Sequence, residues 1–204
     1  MKAAPKPVSL AHYPGAAGTD EAGRGPLAGP VVAAAVIIPD DFDLIGIADS
    51  KLLDRTQREV QEIRIKAICA WAVAVNWTET VDRLNILHAS LDAMRQAVLA
   101  LGAVPVKVLV DGNQMVPGLE MPCETIVKGD GKVACIAAAS ILAKCERDRI
   151  MTEFAAEYPG YGFDRHSGYP TPEHFEALQR LGPCPIHRRS FGPVRDLIQP
   201  SLAI

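Results

Sequence analysis

The sequence predicts an α/β chain on three observations. Short apolar, largely β-branched runs occur at Val31 to Ile38, Trp71 to Trp77, Val106 to Val110 and Glu124 to Val127. Longer segments of helical period or high alanine content stand between and after them, and Gly, Pro and Asp turns punctuate the joins. At 204 residues and 49% apolar content the chain is long enough for one ordinary domain with a sizeable core.

Met1 to Gly18 reads as a flexible leader, because prolines and glycines interrupt any regular element. Two strands then flank the turn Gly23-Arg24-Gly25, and Pro39-Asp40-Asp41 closes the second. A helix capped by Asp49 or Ser50 follows, with apolar positions at Leu53, Val60, Ile63 and Ile65, ending near Cys69. After the strand at Trp71 to Trp77, a helix starting at Thr80 or Asp82 runs through Leu87, Leu91, Met94 and Val98 to Leu101. Val106 to Val110 is a buried strand that delivers Asp111-Gly112-Asn113 at its carboxyl end, and Glu124 to Val127 is another. Lys128 to Lys132 turns out of it into a long alanine-rich helix from about Val133 to Tyr158, which carries Ser140, Lys144 and Asp148. The last quarter contains aromatic and basic turns, a helix from Glu173 to Leu181, the basic run His187-Arg188-Arg189, and a final segment ending near Leu197.

The formal charge of −3 excludes a generally basic coat, so nucleic-acid contact has to come from local clusters. Five scattered cysteines without a Cys-x-x-Cys pair argue against a disulfide framework and a zinc ribbon, and for thiols in a reducing cytoplasm. No signal-peptide core and no run of about eighteen apolar residues is present, which predicts a soluble cytoplasmic protein with no membrane partner.

Thr19-Asp20-Glu21-Ala22-Gly23-Arg24-Gly25-Pro26 is the most informative stretch. Neighbouring strand side chains point to opposite faces, so adjacent Asp20 and Glu21 need something that receives both charges. A divalent cation does so through oxygen ligands, and the glycines let backbone N–H groups approach a phosphodiester or nucleotide. The alternative is a solvated loop with two surface acids. Gly23 to Ala28 also fits a loose dinucleotide pattern, but Gly29-Pro30 stops the helix that pattern requires. Gly131-Lys132 is no phosphate loop, because Ile126 and Val133 replace its first glycine and its Ser/Thr. Asp111 lies where ligands collect in open α/β sheets, although Asp-Gly is also a common turn, and Asp130 is either a ligand or a helix cap. If Asp20, Glu21, Asp111 and Asp130 converge, their mutual repulsion requires cations among them, and two ions there suit phosphodiester hydrolysis.

Asp20 to Val31, Asp49-Ser50-Lys51, Val110 to Asn113, Lys128-Gly129-Asp130, Ala137 to Lys144 with Arg147-Asp148-Arg149, and Ser167 to Thr171 together resemble bacterial ribonuclease HII. The resemblance runs in order from about Thr19 to about Leu197. It implies a ribonuclease H-like fold with a central mixed β-sheet flanked by helices. The catalytic domain would span 19–204 behind the leader at 1–18, with a C-terminal helical segment from about 159. It implies Mg²⁺- or Mn²⁺-dependent cleavage of RNA in RNA/DNA hybrids and at single ribonucleotides in duplex DNA, by a monomer, leaving a 3′-hydroxyl and a 5′-phosphate. The metal-binding acids fall on Asp20, Glu21, Asp111 and Asp130. The turn that reads the ribose 2′-hydroxyl falls on Gly23, Arg24 and Gly25, and the stacking tyrosine on Tyr169. Phosphate contacts fall on Lys51, Lys144, Arg188 and Arg189. Leu52 stands where the family usually has a second lysine, and Asp148 rivals the fourth acid, its basic neighbours Lys144, Arg147 and Arg149 favouring a structural ion pair.

Overall fold

The computed structural model describes residues 10–199. Five strands form one mixed sheet: β1 (Ala16–Ala22), β2 (Val31–Ile37), β3 (Ala70–Asn76), β4 (Lys107–Asp111) and β5 (Cys123–Ile126), in the order β3-β2-β1-β4-β5. β1, β2 and β3 run as an antiparallel meander, with Ala22 opposite Val32 and Val32 opposite Val75. β4 pairs parallel with β1, and β5 parallel with β4. Among the described residues the α-helices are α1 (Arg55–Ile68), α2 (Thr78–Leu84), α3 (Ile86–Leu99), α4 (Ala134–Glu157), α5 (Phe163–His166), α6 (Pro172–Leu181) and α7 (Gly192–Ile198).

The period of two along the strands divides the core. Ala34, Val36 and Leu109 face α4 and α1, packing with Ile136, Ile141 and Ile65. Ala33, Ala35, Val108 and Val110 face α3, packing with Leu91, Met94 and Val98. Small residues on β2 and β1 let the helices sit close. At Gly18 the approach is closest, since a Cβ there would lie 2.2 Å from the carbonyl carbon of Cys135 at the start of α4.

Several sequence expectations are corrected. The expected leader extends too far: Leu10 is buried, Ala11 donates to the Lys132 carbonyl at 2.8 Å, and β1 begins at Ala16. Its remainder, 1–9, lies outside the described residues. Helix α1 is capped by Asp54 in a capping box with Gln57, while Asp49 makes a local turn by accepting from the Lys51 N–H at 2.9 Å. Val60 and Ile63 are exposed, and the buried face of α1 is Gln61, Glu62 and Ile65. The helix expected from Thr80 or Asp82 to Leu101 is two helices, because Asn85 takes a φ of 64° and its side chain caps α3 through the Leu87 and His88 N–H groups.

The C-terminal part docks on the loop between β1 and β2. Leu27 donates to Gly168, Gly29 to Ile186 and Arg188 to Leu27, each at 2.8 Å. Inside it lie three buried histidines whose tautomers follow from their partners. His174 donates Nδ1–H to the Tyr169 carbonyl at 2.9 Å and accepts at Nε2 from His187, 3.0 Å away. His187 in turn accepts at Nδ1 from the Cys184 N–H at 3.0 Å, while His166 donates to the Tyr161 carbonyl and accepts from the Gly168 N–H. Each ring is satisfied as neutral imidazole. Burial and then His174 push His187 down to about 4, and burial followed by His166 pushes His174 below its ordinary value.

A folded pKa below the unfolded one means that the unfolded chain takes up the proton first on acidification. The stability held by neutral His187 is therefore complete above about pH 6.5 and is lost as pH falls toward about 4, at up to ~1.4 kcal/mol per unit. In urea titrations, the stability advantage of the wild type over His187→Asn is expected to shrink by about 2 kcal/mol between roughly pH 7 and pH 5. A constant advantage would show that the ring is not held neutral.

Candidate active site

The registers of β1 and β4 bring the acids together. Thr19 is opposite Val110 in the parallel ladder, so one step on Asp20, near the carboxyl end of β1, stands beside Asp111, the last residue of β4. Parallel pairing between strands about 4.8 Å apart does this without any contribution from the side chains. Asp20 is 5% exposed and accepts the Glu21 N–H at 2.7 Å, and Ser140 from α4 stands near enough to ease its ionisation. Ser140 is itself fixed by Ser50, with the two hydroxyl oxygens 2.9 Å apart. Asp111 Oδ1 accepts the Gly129 N–H at 2.6 Å, which ties β4 to the short 3₁₀ turn Gly129–Gly131 that carries Asp130. Asp130 is buried, accepts the Gly131 N–H at 3.0 Å and receives Lys51 Nζ at 3.1 Å. Its helix-cap alternative is ruled out, since the N-cap of α4 is Val133 and no side chain caps that helix.

The electrostatics are those of a carboxylate cluster short of positive charge. Burial, then repulsion by Glu21 and Asp111, holds Asp20 well above the ordinary carboxylate range. Burial also raises Glu21, with Arg24 offsetting part of the effect and Asp111 adding to it. Asp111 is raised by burial and then by Asp130, against the relief given by the Gly129 and Asp130 N–H groups. The nearby cations are Arg24, 3.4 Å from Glu21, and Lys51, whose own pKa the Asp130 contact raises against the effect of burial. Among the described residues no three Asp, Glu, His or Cys side chains form a ready-made ion cage. The four acids stand within electrostatic reach as an open set of hard oxygen donors, the donor type suited to Mg²⁺ or Mn²⁺. A cleft beside them is lined by Glu21, Arg24, Asp111, Gly112, Asn113 and Gln114.

The glycine turn lies against this cluster. Gly23 has φ +101°, and a Cβ there would fall 2.2 Å from Arg147 Nε, so no side chain fits. Gly25 faces Tyr169, whose ring would lie 3.6 Å from an added Cβ. Tyr169 is 41% exposed and is held by its N–H to the His166 carbonyl and by His174 at its own carbonyl. The structure thus places Asp20, Glu21, Asp111, Asp130, Lys51 and Gly23 to Gly25 with Tyr169 in one region.

The other basic residues read differently in the structure. Lys144 is paired with Asp148 at 2.6 Å along α4 and is not a free phosphate contact. Asp148 is a structural ion pair, but its second cation is Arg58, at 3.5 Å, rather than Arg147 or Arg149. Arg149 pairs with Glu62 and Glu146. Arg188 is wholly buried, so its expected phosphate contact is corrected: its fork is consumed by the carbonyls of Gly23, Arg24, Gly29 and Pro30. Arg189 is exposed, and its N–H is anchored to Asp82 at 3.0 Å. Sequence reasoning missed Arg147, fully buried and bonded to the carbonyls of Ala28, Pro30 and Ser167. Its signal was an arginine on the same helical stripe as Ala143 and Ile150, where a surface charge is out of place.

The sheet order and the acids at the ends of β1 and β4 define a ribonuclease H-like protein. The solved ribonuclease H2 of Pyrococcus horikoshii OT3 superposes with a TM-score of 0.76 at 28% identity, covering 89% of this chain and 96% of that one. The family model for ribonuclease HII matches residues 17–194. The chain is 57% identical over 178 residues to the ribonuclease HII of Dechloromonas aromatica (strain RCB), covering 87% of this chain and 90% of that protein. It is 55% identical over 195 residues to that of Acidovorax sp. (strain JS42), covering 94% and 92%. The chain belongs to the ribonuclease HII family, metal-dependent endoribonucleases that degrade the RNA of RNA/DNA hybrids. No helix among the described residues is long and apolar enough to cross a membrane.

Proposed function

We propose that this chain also nicks duplex DNA 5′ to a single embedded ribonucleotide, leaving a 3′-hydroxyl and a 5′-phosphate. The observation that carries the reading is the side-by-side placement of Asp20 and Asp111 on adjoining strands, next to a glycine turn with Arg24 and Gly25 exposed and a half-exposed tyrosine. Asp20, Glu21, Asp111 and Asp130 would hold Mg²⁺ or Mn²⁺, two ions with substrate bound. Such ions supply an activated water and charge stabilisation for the departing oxygen. An open set of carboxylates fits that use, because Mg²⁺ keeps positions for water and phosphate oxygens.

The chain's own groups do the positioning. Lys51, with its side chain 77% exposed, meets a phosphate beside Asp130. Gly23, Arg24 and Gly25 bring backbone groups against the sugar, where the 2′-hydroxyl distinguishes RNA from DNA. Tyr169 offers its ring face as a platform beneath the sugar or base. Free thiols at all five cysteines suit work on nucleic acid in a reducing cytoplasm. The reading is of a monomer, with both strands of the substrate as its partner.

The test is a labelled DNA duplex with one ribonucleotide, incubated with the protein and Mg²⁺ or Mn²⁺. The expected product is one nick 5′ to the ribonucleotide, with the all-DNA duplex left intact. An intact ribonucleotide strand with both ions contradicts the proposal, and cleavage of the all-DNA duplex points to a nuclease of different specificity.

A further inference from the structure

Two guanidinium groups lie buried beneath the glycine turn, and carbonyl oxygens rather than carboxylates surround them. Arg188 donates Nη2–H to the Gly23 carbonyl at 2.6 Å, Nη1–H to the Arg24 carbonyl at 3.1 Å, and further bonds to Gly29 and Pro30. Arg147 shares the Pro30 carbonyl, at 3.1 Å, and its Nη1 is the one buried side-chain nitrogen or oxygen without a partner among the described residues. Burial lowers both, Arg188 to about 9 with Arg147's help and Arg147 to about 10, which leaves two positive charges at neutral pH. Burying charge without a countercharge is expensive, and neutral donors would crosslink the loop with less penalty.

The consequence lies on the other side of the peptide planes. In a trans peptide the C=O and N–H point in opposite directions. A Gly23 carbonyl turned inward onto Arg188 therefore turns the Arg24 N–H outward, and the Arg24 carbonyl does the same for the Gly25 N–H. Both residues are exposed, and neither N–H donates to a backbone carbonyl among the described residues. A charged donor on the carbonyl also polarises the amide, making its N–H a stronger donor.

We propose that Arg188 is a positioning residue for ribose recognition: from beneath the turn it aims and strengthens the Arg24 and Gly25 N–H groups toward the 2′-hydroxyl and its adjacent phosphate. This rests on the reading of the turn given above. It assigns Arg188 an indirect part in specificity, through two peptide units, in place of a direct phosphate contact.

The test compares the full chain with Arg188→Lys and Arg188→Gln. Fluorescence anisotropy without divalent metal, so that nothing is cleaved, gives the affinity for a duplex with one ribonucleotide and for the matching all-DNA duplex. Urea transitions identify the folded variants. The expected result is a ribonucleotide-to-DNA affinity ratio reduced about tenfold in the folded variant, about 1.4 kcal/mol, with Lys less impaired than Gln. All-DNA affinity is expected to stay within about twofold. An unchanged ratio, equal weakening on both duplexes, or failure of both variants to fold overturns the proposal, since the fork would then serve only the fold. A wild-type ratio of one refutes instead the reading of the turn on which the proposal rests.

Discussion

Asp20→Asn and Asp111→Asn are each expected to lower hybrid cleavage by at least ~10³-fold while changing hybrid affinity by less than about threefold. Each substitution removes one anionic oxygen from the set that would hold the ions, but leaves Lys51, the glycine turn and Tyr169 in place. Stability is expected to move in the opposite direction. Both carboxyls sit above their ordinary pKa because burial and like charge penalise the ionised form. Their ionised state therefore weakens the metal-free fold at neutral pH, and an uncharged isostere relieves that strain. In metal-free buffer the Asn variants should unfold at a higher urea concentration than the parent. A variant that loses activity together with stability would mark the acids as structural.

Gly18→Val is expected to be the most damaging single substitution in the sheet, destabilising by about 4 kcal/mol or more. Gly18 lies mid-strand in β1, and an added Cβ would meet the Cys135 carbonyl carbon at 2.2 Å and the Ile136 nitrogen at 2.3 Å. Backbone cannot swing aside as a flexible side chain can, so β1 and α4 have to separate. That movement also displaces Asp20 and Glu21, which lie on β1, and cleavage should fall even under conditions where the variant stays folded. With a urea slope of about 1–3 kcal/mol per M, a loss of this size lowers the urea midpoint by at least about 1 M. A midpoint within about 0.5 M of the wild type would mean that β1 and α4 are less tightly coupled than the structure shows.

The sheet was legible because its strands announce themselves locally. Val31 to Ile37 and Lys107 to Asp111 carry β-branched runs bounded by turns, and the glycine turn between β1 and β2 stops any helix at Gly29-Pro30. The acids of the site were legible for a related reason: Asp111 ends a strand, Asp130 sits in a turn, and Asp20 and Glu21 are adjacent charges in β1 just ahead of the glycine turn. Their convergence was not, because it depends on the parallel pairing of β1 with β4, which joins residues about ninety positions apart and leaves no mark on either segment. The roles of the arginines were hidden in the same way. Arg188 and Arg189 are neighbours of identical type, and only the docking of the C-terminal part over the β1–β2 loop buries the first and leaves the second in solvent. Asn85 shows a local limit: its helical surroundings conceal one left-handed residue that divides α2 from α3.

The central claim is that Asp20, Glu21, Asp111 and Asp130 together form a divalent-cation site. Paramagnetic broadening by Mn²⁺ in ¹⁵N-labelled protein tests it without substrate or turnover. The account predicts selective loss of the amide signals of Glu21, Gly112, Gly129 and Gly131 at low Mn²⁺, reversed by excess Mg²⁺ and largely abolished by Asp111→Asn. Broadening centred elsewhere, or undiminished in Asp111→Asn, would contradict it.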